Sequence, residues 1–160
     1  MEISFEKFTK IKSDAESFYK TIGEVHCPYF NERITFNSKG LDHIKFKEWN
    51  KTRLIKDQYL RLKFLCLSPE IIKKSHTLQE FRESNNFERQ KINSRWERRI
   101  ITVKYYAFVA ILNNIRLKII IKEIEGGKKF FWSIYPYWKQ RRNYDGRIKK
   151  ALYEGDLETQ

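Results

Sequence analysis

His43, Lys118 and Tyr135 are side chains whose types suit acid–base chemistry on a phosphodiester. Cleaving RNA without a metal needs three things. A base must take the proton of the 2′-hydroxyl, a cation must hold the charge that develops on phosphorus, and an acid must protonate the leaving 5′-oxygen. His43 is flanked by Lys45 and Lys47. Repulsion from two cations favours the neutral imidazole, the form that acts as a base. The structural alternative is a boundary histidine bonded to a backbone carbonyl. Lys118, with Arg98 or Lys104, would hold the phosphate, and Tyr135 would donate a proton once Lys118 lowers its pKa.

Lys118 and Tyr135 must be positioned by a run of strands over residues 98–139. Ile115, Leu117, Ile119 and Ile121 alternate with Arg116, Lys118 and Lys122, a period of two that marks a strand with one buried face. Glu125-Gly126-Gly127-Lys128 predicts a two-residue hairpin, because glycine takes positive φ freely. The register then sets Ile121 opposite Trp132, Ile119 opposite Ile134 and Leu117 opposite Pro136 on the buried face. It sets Ile120 opposite Ser133, Lys118 opposite Tyr135 and Arg116 opposite Tyr137 on the other. Cations, phenols and a hydroxyl on one sheet face suit a polyanion, although a solvated face has a similar composition. Residues 100–112 are apolar on both sides and predict a covered strand, closed by a turn at Asn113-Asn114.

His43 needs a helix. Arg33–Phe36 predicts a short strand, and Asn37 and Ser38 are capping types ahead of a helix with Leu41 and Ile44 on its core side. His43 falls at the edge of that stripe. Elsewhere the chain predicts two helices over residues 1–22, the second capped by Ser13, and irregular backbone at His26–Phe30. A helix is expected over Leu54–Leu67 with Ile55, Tyr59, Leu62 and Cys66 as its stripe. Another begins at Ser68-Pro69-Glu70, with Ser68 as its cap. Residues 79–97 are charged and interrupted by Asn85-Asn86, with no periodicity. The chain divides as one domain: N-terminal helices (1–24), a short strand and helices (25–97), an antiparallel meander (98–139) and a basic then acidic tail (140–160).

The 160 residues carry 33 Lys and Arg against 20 Asp and Glu, a formal charge of +13. That balance favours an acidic partner, with nucleic acid the first choice. From Arg89 to Lys104 six cations surround one acid, with Trp96 inside the run. Cations interleaved with an indole suit phosphates and a stacked base. Lys45, Lys47, Arg53, Trp96, Arg98, Arg99, Lys104 and Arg116 are the expected nucleic-acid contacts. Cys27 and Cys66 read as reduced thiols in a cytoplasmic protein, and the His26-Cys27 pair lacks the second pair a zinc site needs. His76, after two lysines, reads as a surface residue. No membrane segment, Gly-rich phosphate loop or carboxylate cluster for metal catalysis is expected, and no cofactor.

Ile34-Thr35-Phe36-Asn37-Ser38-Lys39-Gly40-Leu41-Asp42-His43-Ile44 is a strand leading into a helix with a histidine. Phe131-Trp132-Ser133-Ile134-Tyr135-Pro136 is a final strand with a hydroxyl. Together, over Val25 to Trp138, they resemble the barnase–EndoU–colicin–RelE-like nuclease superfamily, especially its small phage-associated members. The resemblance implies an α+β fold with N-terminal helices on one face of a curved antiparallel sheet of about four strands. It implies a metal-independent endoribonuclease of toxin or phage-effector type, acting on RNA (tRNA or ribosome-bound RNA included) and held in check by a cognate inhibitor protein. His43 matches the helix histidine, Ser133 or Tyr135 the final-strand hydroxyl, and Arg98, Arg99 or Lys104 the strand cation. The paired His and Glu-His arrangements of some members are missing, so the general acid has no match. A non-catalytic nucleic-acid-binding or toxin-neutralising module would use the same basic face.

Overall fold

The computed structural model describes residues 2–48 and 51–137. It opens with one helix, α1 (Phe5–Ile22), where two were expected. Ser4 caps it, its hydroxyl accepting from the Lys7 amide at 3.3 Å, and Gly23 ends it at φ 66°. Ser13 lies exposed in the middle of this helix and caps nothing. β1 (Glu24–Cys27) and β2 (Glu32–Thr35) form an antiparallel hairpin. His26 and Cys27, expected in irregular backbone, therefore belong to a strand. Pro28 sits in the turn that follows, closed by Asn31 at φ 53°.

α2 (Ser38–Lys45) starts as its sequence predicts, with Asn37 Oδ1 accepting from the Gly40 amide at 3.2 Å. A short hairpin, β3 (Phe46–Glu48) and β4 (Lys51–Thr52), leads to α3 (Ile55–Leu65) and α4 (Ser68–Lys73). The α3 stripe differs from the expected one. Ile55 and Cys66 are exposed, while Gln58, Tyr59, Arg61, Leu62, Phe64 and Leu65 are buried. In α4, Leu67 takes the capping position and Ser68 lies in the first turn, so no side chain caps the helix.

Four strands complete the described residues: β5 (Glu80–Ile92), β6 (Arg95–Leu112), β7 (Ile115–Ile124) and β8 (Phe130–Pro136). Among the described residues the main sheet has six strands in the order β1-β2-β8-β7-β6-β5, where about four were expected. The additional ones are β1, masked by Pro28 nearby, and β5, whose charges and Asn85-Asn86 hide it. Every pairing is antiparallel except β2 with β8, which meet in parallel at the single pair Thr35–Phe130. The fold is thus α+β, with helices on a mixed, mostly antiparallel sheet.

One face carries the larger core. Ala15 and Tyr19 of α1, Ile44 of α2, Leu62 and Leu65 of α3 and Ile71 and Ile72 of α4 pack against Leu117, Ile119, Ile121, Phe131 and Ile134. The other face carries a second cluster of Ile101, Val103, Tyr105, Ala107, Ile120 and Tyr135. That second face was expected to be a basic surface. Lys118 is 3% exposed and Ser133 and Tyr135 are fully buried there. Apolar stems let lysines lie on such a face while their ammonium groups find carboxylates or rings.

The β7–β8 register follows expectation for Leu117–Pro136, Lys118–Tyr135, Ile119–Ile134 and Ile120–Ser133. It fails nearer the turn, where Ile121 faces Phe131. The turn closes from Ile124 to Gly127, with the Gly127 amide bonding the Ile124 carbonyl at 2.8 Å. The loop is therefore longer than two residues, and a bulge between Ile120 and Ile121 absorbs the difference at Trp132. The meander's last residues, to Lys139, the residues Trp49, Asn50 and Trp138, and the tail 140–160 lie outside the described residues.

Candidate functional site

Gly40 brings α2 against β8. A Cβ at this position would collide with the Phe131 carbonyl oxygen and meet the Tyr19 hydroxyl at 2.7 Å. The close approach puts His43, one turn later, face to face with Trp132, ring centroids 4.0 Å apart and planes 18° apart. The bulge is what aims Trp132. Uninterrupted alternation would leave the indole on the helix-facing side beside Ile121. Instead it packs with the second cluster, where the Lys122 ammonium lies 4.0 Å above it and 5.4 Å from the Tyr105 ring.

Arg53 ties His43 to α3. Its Nε donates to the His43 carbonyl at 2.9 Å, and its Nη2 lies 2.9 Å from His43 Nε2. A guanidinium carries donors only, so Nε2 must supply the lone pair and the ring is neutral, with its proton on Nδ1. Arg53 Nη1 also donates to Asp57 Oδ2 at 3.3 Å. Asp57 Oδ1 accepts from Arg61 Nε at 3.0 Å. Arg61 Nη1 in turn donates to Ser133 Oγ, and its guanidinium lies 5.0 Å from the Tyr135 ring centroid. A buried polar chain thus runs His43–Arg53–Asp57–Arg61–Ser133, with Tyr135 under its last cation.

Two guanidinium groups share one carboxylate, which leaves the triad with a surplus positive charge. Taking such charges out of water is costly, and hydrogen bonds at every step are what make it tolerable. The Arg53 and Arg61 side chains are 3% and 1% exposed, while Asp57 is 22% exposed, so the chain opens to solvent at the carboxylate. Lys118 stands next to Tyr135 in the register. Its ammonium bonds Glu80 Oε1 at 2.7 Å and lies 4.3 Å from the Tyr137 ring centroid. Arg61 is a cation above the Tyr135 ring, and the register sets Lys118 opposite the same residue.

The structure brings His43, Ser133 and Tyr135 into one neighbourhood and sets Lys118 beside it. The expected nucleic-acid contacts do not form one surface. Arg53 is buried inside the polar chain. Lys45 is half-buried in an ion pair with Glu16 at 3.2 Å, and Lys47 is exposed. Trp96, Arg98 and Arg99 are exposed on β6, with Arg99 on the face opposite the other two. Lys104 and Arg116 are half-buried on opposite faces, Lys104 across from Glu83. His26 and His76 are exposed and away from the polar chain.

Asp57, Arg61, Lys122 and Trp132 are parts of this site that side-chain chemistry alone did not single out. The spacing Arg53–Asp57–Arg61 was the available signal, since two steps of four residues set charges of alternating sign in a row along a helix. Among the described residues no group of three His, Cys, Asp or Glu side chains is placed to hold a metal. No helix among them is long and apolar enough to cross a membrane. Compared with protein-family models, curated proteins and solved structures, the chain matches none.

Proposed function

We propose that this chain is a metal-independent endoribonuclease that cleaves RNA by attack of the 2′-hydroxyl on the adjacent phosphate. One observation carries the proposal: His43 and, some ninety residues later, Ser133 and Tyr135 are gathered around two guanidinium groups by the chain from His43 to Ser133. A neutral imidazole with its Nε2 lone pair toward the site takes the 2′-hydroxyl proton when the Arg53 contact gives way to substrate. Arg53 and Arg61 carry the charge of the phosphorane. Bond formation from O2′ to phosphorus and loss of O5′ leave a 2′,3′-cyclic phosphate and a 5′-hydroxyl. Ser133 and Tyr135 are the two hydroxyls in place to protonate O5′. The resemblance adds a curved sheet, a toxin or phage-effector role and a cognate inhibitor, and the two free cysteines, Cys27 and Cys66, suit a cytoplasmic setting that keeps them reduced.

The test is incubation of the purified chain with mixed RNA in EDTA. Fragments ending in 2′,3′-cyclic phosphate, lost with His43→Ala, support the proposal, and intact RNA over a long incubation refutes it. A second function, nucleic-acid binding without cleavage, is favoured by burial: His43 is 5% exposed and Ser133 and Tyr135 have no exposure. Tight RNA binding with no cleavage would select it.

A further inference from the structure

The β5–β6 hairpin outruns the sheet. Eight consecutive pairs, from Asn85–Thr102 to Ile92–Arg95, lie beyond Val103, the first β6 residue that pairs with β7. At the rise of a β-strand they form an arm of roughly 25 Å. Asn93 and Ser94, at φ 48° and 67°, close it as a two-residue turn.

The arm's two faces differ. On one, the three pairs nearest the tip are Lys91–Trp96, Arg89–Arg98 and Phe87–Ile100. Phe87 is 76% exposed, Trp96 69% and Ile100 62%. This face holds three cations and no carboxylate, and its cations alternate with flat or apolar side chains. On the other face β6 presents Arg95, Glu97 and Arg99, a mixed set. Like charges directly opposite each other destabilise a strand pair, so Arg89 facing Arg98 works against the hairpin until an anion lies between them. Exposed rings on an otherwise solvated arm are unfavourable in the same way until something flat covers them.

We infer that the Phe87–Trp96–Ile100 face of this arm binds single-stranded nucleic acid, with Arg89, Arg98 and Lys91 on phosphates and Trp96 and Phe87 stacking on bases. Repeating phosphates with unpaired bases between them are the ligand whose chemistry matches both halves of the pattern. A polyanionic peptide would satisfy the cations and leave the rings exposed. A duplex would offer phosphates with its bases already stacked. The inference rests on the nucleic-acid part of the function proposed above and is independent of cleavage.

The probe is a fluorescently labelled single-stranded RNA of twelve 2′-O-methyl nucleotides. It lacks the free 2′-hydroxyl that cleavage needs, so binding is read alone by anisotropy across a salt series. The double variant Arg89→Ala/Arg98→Ala is expected to bind at least about 10-fold more weakly. Its log–log salt slope should be flatter by about 1.4, for two lost single-strand phosphate contacts. Trp96→Ala is expected to bind roughly 10-fold more weakly with the slope unchanged. Lys73→Ala, an exposed cation on α4 away from the arm, is expected to stay within about 2-fold of the wild type. Far-UV circular dichroism of each variant checks that the hairpin persists. Wild-type affinity in the double variant overturns the inference. So do an equal loss with Lys73→Ala and a wild-type preference for polyglutamate over the RNA. Arm-dependent binding of the probe with natural RNA left uncut would refute the nuclease function and leave the arm's role standing. Cleavage of natural RNA with normal binding by the arm variants would do the reverse.

Discussion

Arg53 grips His43 at two points, the backbone carbonyl and the ring nitrogen Nε2, each at 2.9 Å. One side chain therefore engages both the last turn of α2 and the imidazole ring. His43→Ala should lower the rate of RNA cleavage by roughly 10²–10⁴-fold, the usual loss with a general base. It should also leave Arg53 with an unmet donor and lower stability by about 1–3 kcal/mol. Binding of a 2′-O-methyl RNA should change little, because a neutral ring contributes no phosphate charge. Single-turnover cleavage in EDTA, urea melts and anisotropy separate the three effects. Cleavage at wild-type rate would remove His43 from the chemistry.

Arg61→Ala should be the most damaging single change in the site. It strips Ser133 and Tyr135 of their cation and unpairs one oxygen of Asp57. Removing one partner of a buried pair costs about 3 kcal/mol. Arg61→Met should recover part of that loss, since it fills the space while Asp57 keeps its bond to Arg53. Urea unfolding of the two variants measures both values. Equal stability of the two variants would mean that the space left by the Arg61 side chain does not matter.

Gly40→Ala tests the approach of α2 to β8. Inside a helix, alanine ordinarily outperforms glycine by about 1 kcal/mol. Here the added methyl would strike the Phe131 carbonyl and the Tyr19 hydroxyl, and overpacking of that kind costs about 1–3 kcal/mol. The variant should be less stable than the wild type, and its near-UV circular dichroism should change as the His43–Trp132 stack shifts. A gain in stability would show that the contact yields easily.

Stability should decline above about pH 10. Burial, helped by the Asp42 charge, pushes the Tyr19 phenol above its ordinary 10.0. Burial and the bond to Glu123 do the same for Tyr106. The folded chain thus holds protons that the unfolded chain gives up, so its stability is full below the ordinary value and is lost as pH rises past it. Tyr19→Phe should cost about 1 kcal/mol at neutral pH, from the lost bond to the Asn37 carbonyl. It should also flatten the alkaline decline, leaving the share that belongs to Tyr106, Cys27 and Lys129. Thermal melts from pH 8 to 11 record both. An unchanged slope in the variant would exclude Tyr19 as a source.

Elements with a one-sided pattern were legible. Asn37 and the residues after it announce α2, and the alternation from Ile115 to Ile121 announces β7 and half of its register with β8. β5 was not legible, because both faces of an arm lie in water and no apolar period is required of it. Its turn, Asn93-Ser94, was the signal to weigh. The candidate site was legible as types and not as contacts. His43, Ser133 and Tyr135 stand together, but the guanidinium groups that join them come from α3 and its approach. Arg53 had read as a surface cation, and Arg61 belonged to a helix judged by its apolar residues alone. The bulge at Trp132 was out of reach, since the two glycines of the Gly126-Gly127 turn accommodate a longer loop as readily as a short one.

Among the described residues, Thr35 and Phe130 form the only pair between the β1–β2 hairpin and the rest of the sheet. Strands β5 to β8 are hairpin neighbours along the chain, so their contacts close short loops and form without the remainder. The N-terminal half reaches them across one bridge and a helical interface, which closes a loop of nearly a hundred residues. Refolding should therefore organise the meander early and dock β1, β2, α2 and α3 late. His43, Arg53, Asp57 and Arg61 arrive with the docking half, whereas Trp132, Ser133 and Tyr135 are already on the other. The site exists only once that last step is complete, and a chain captured just before it would hold both sets of residues in separately folded parts.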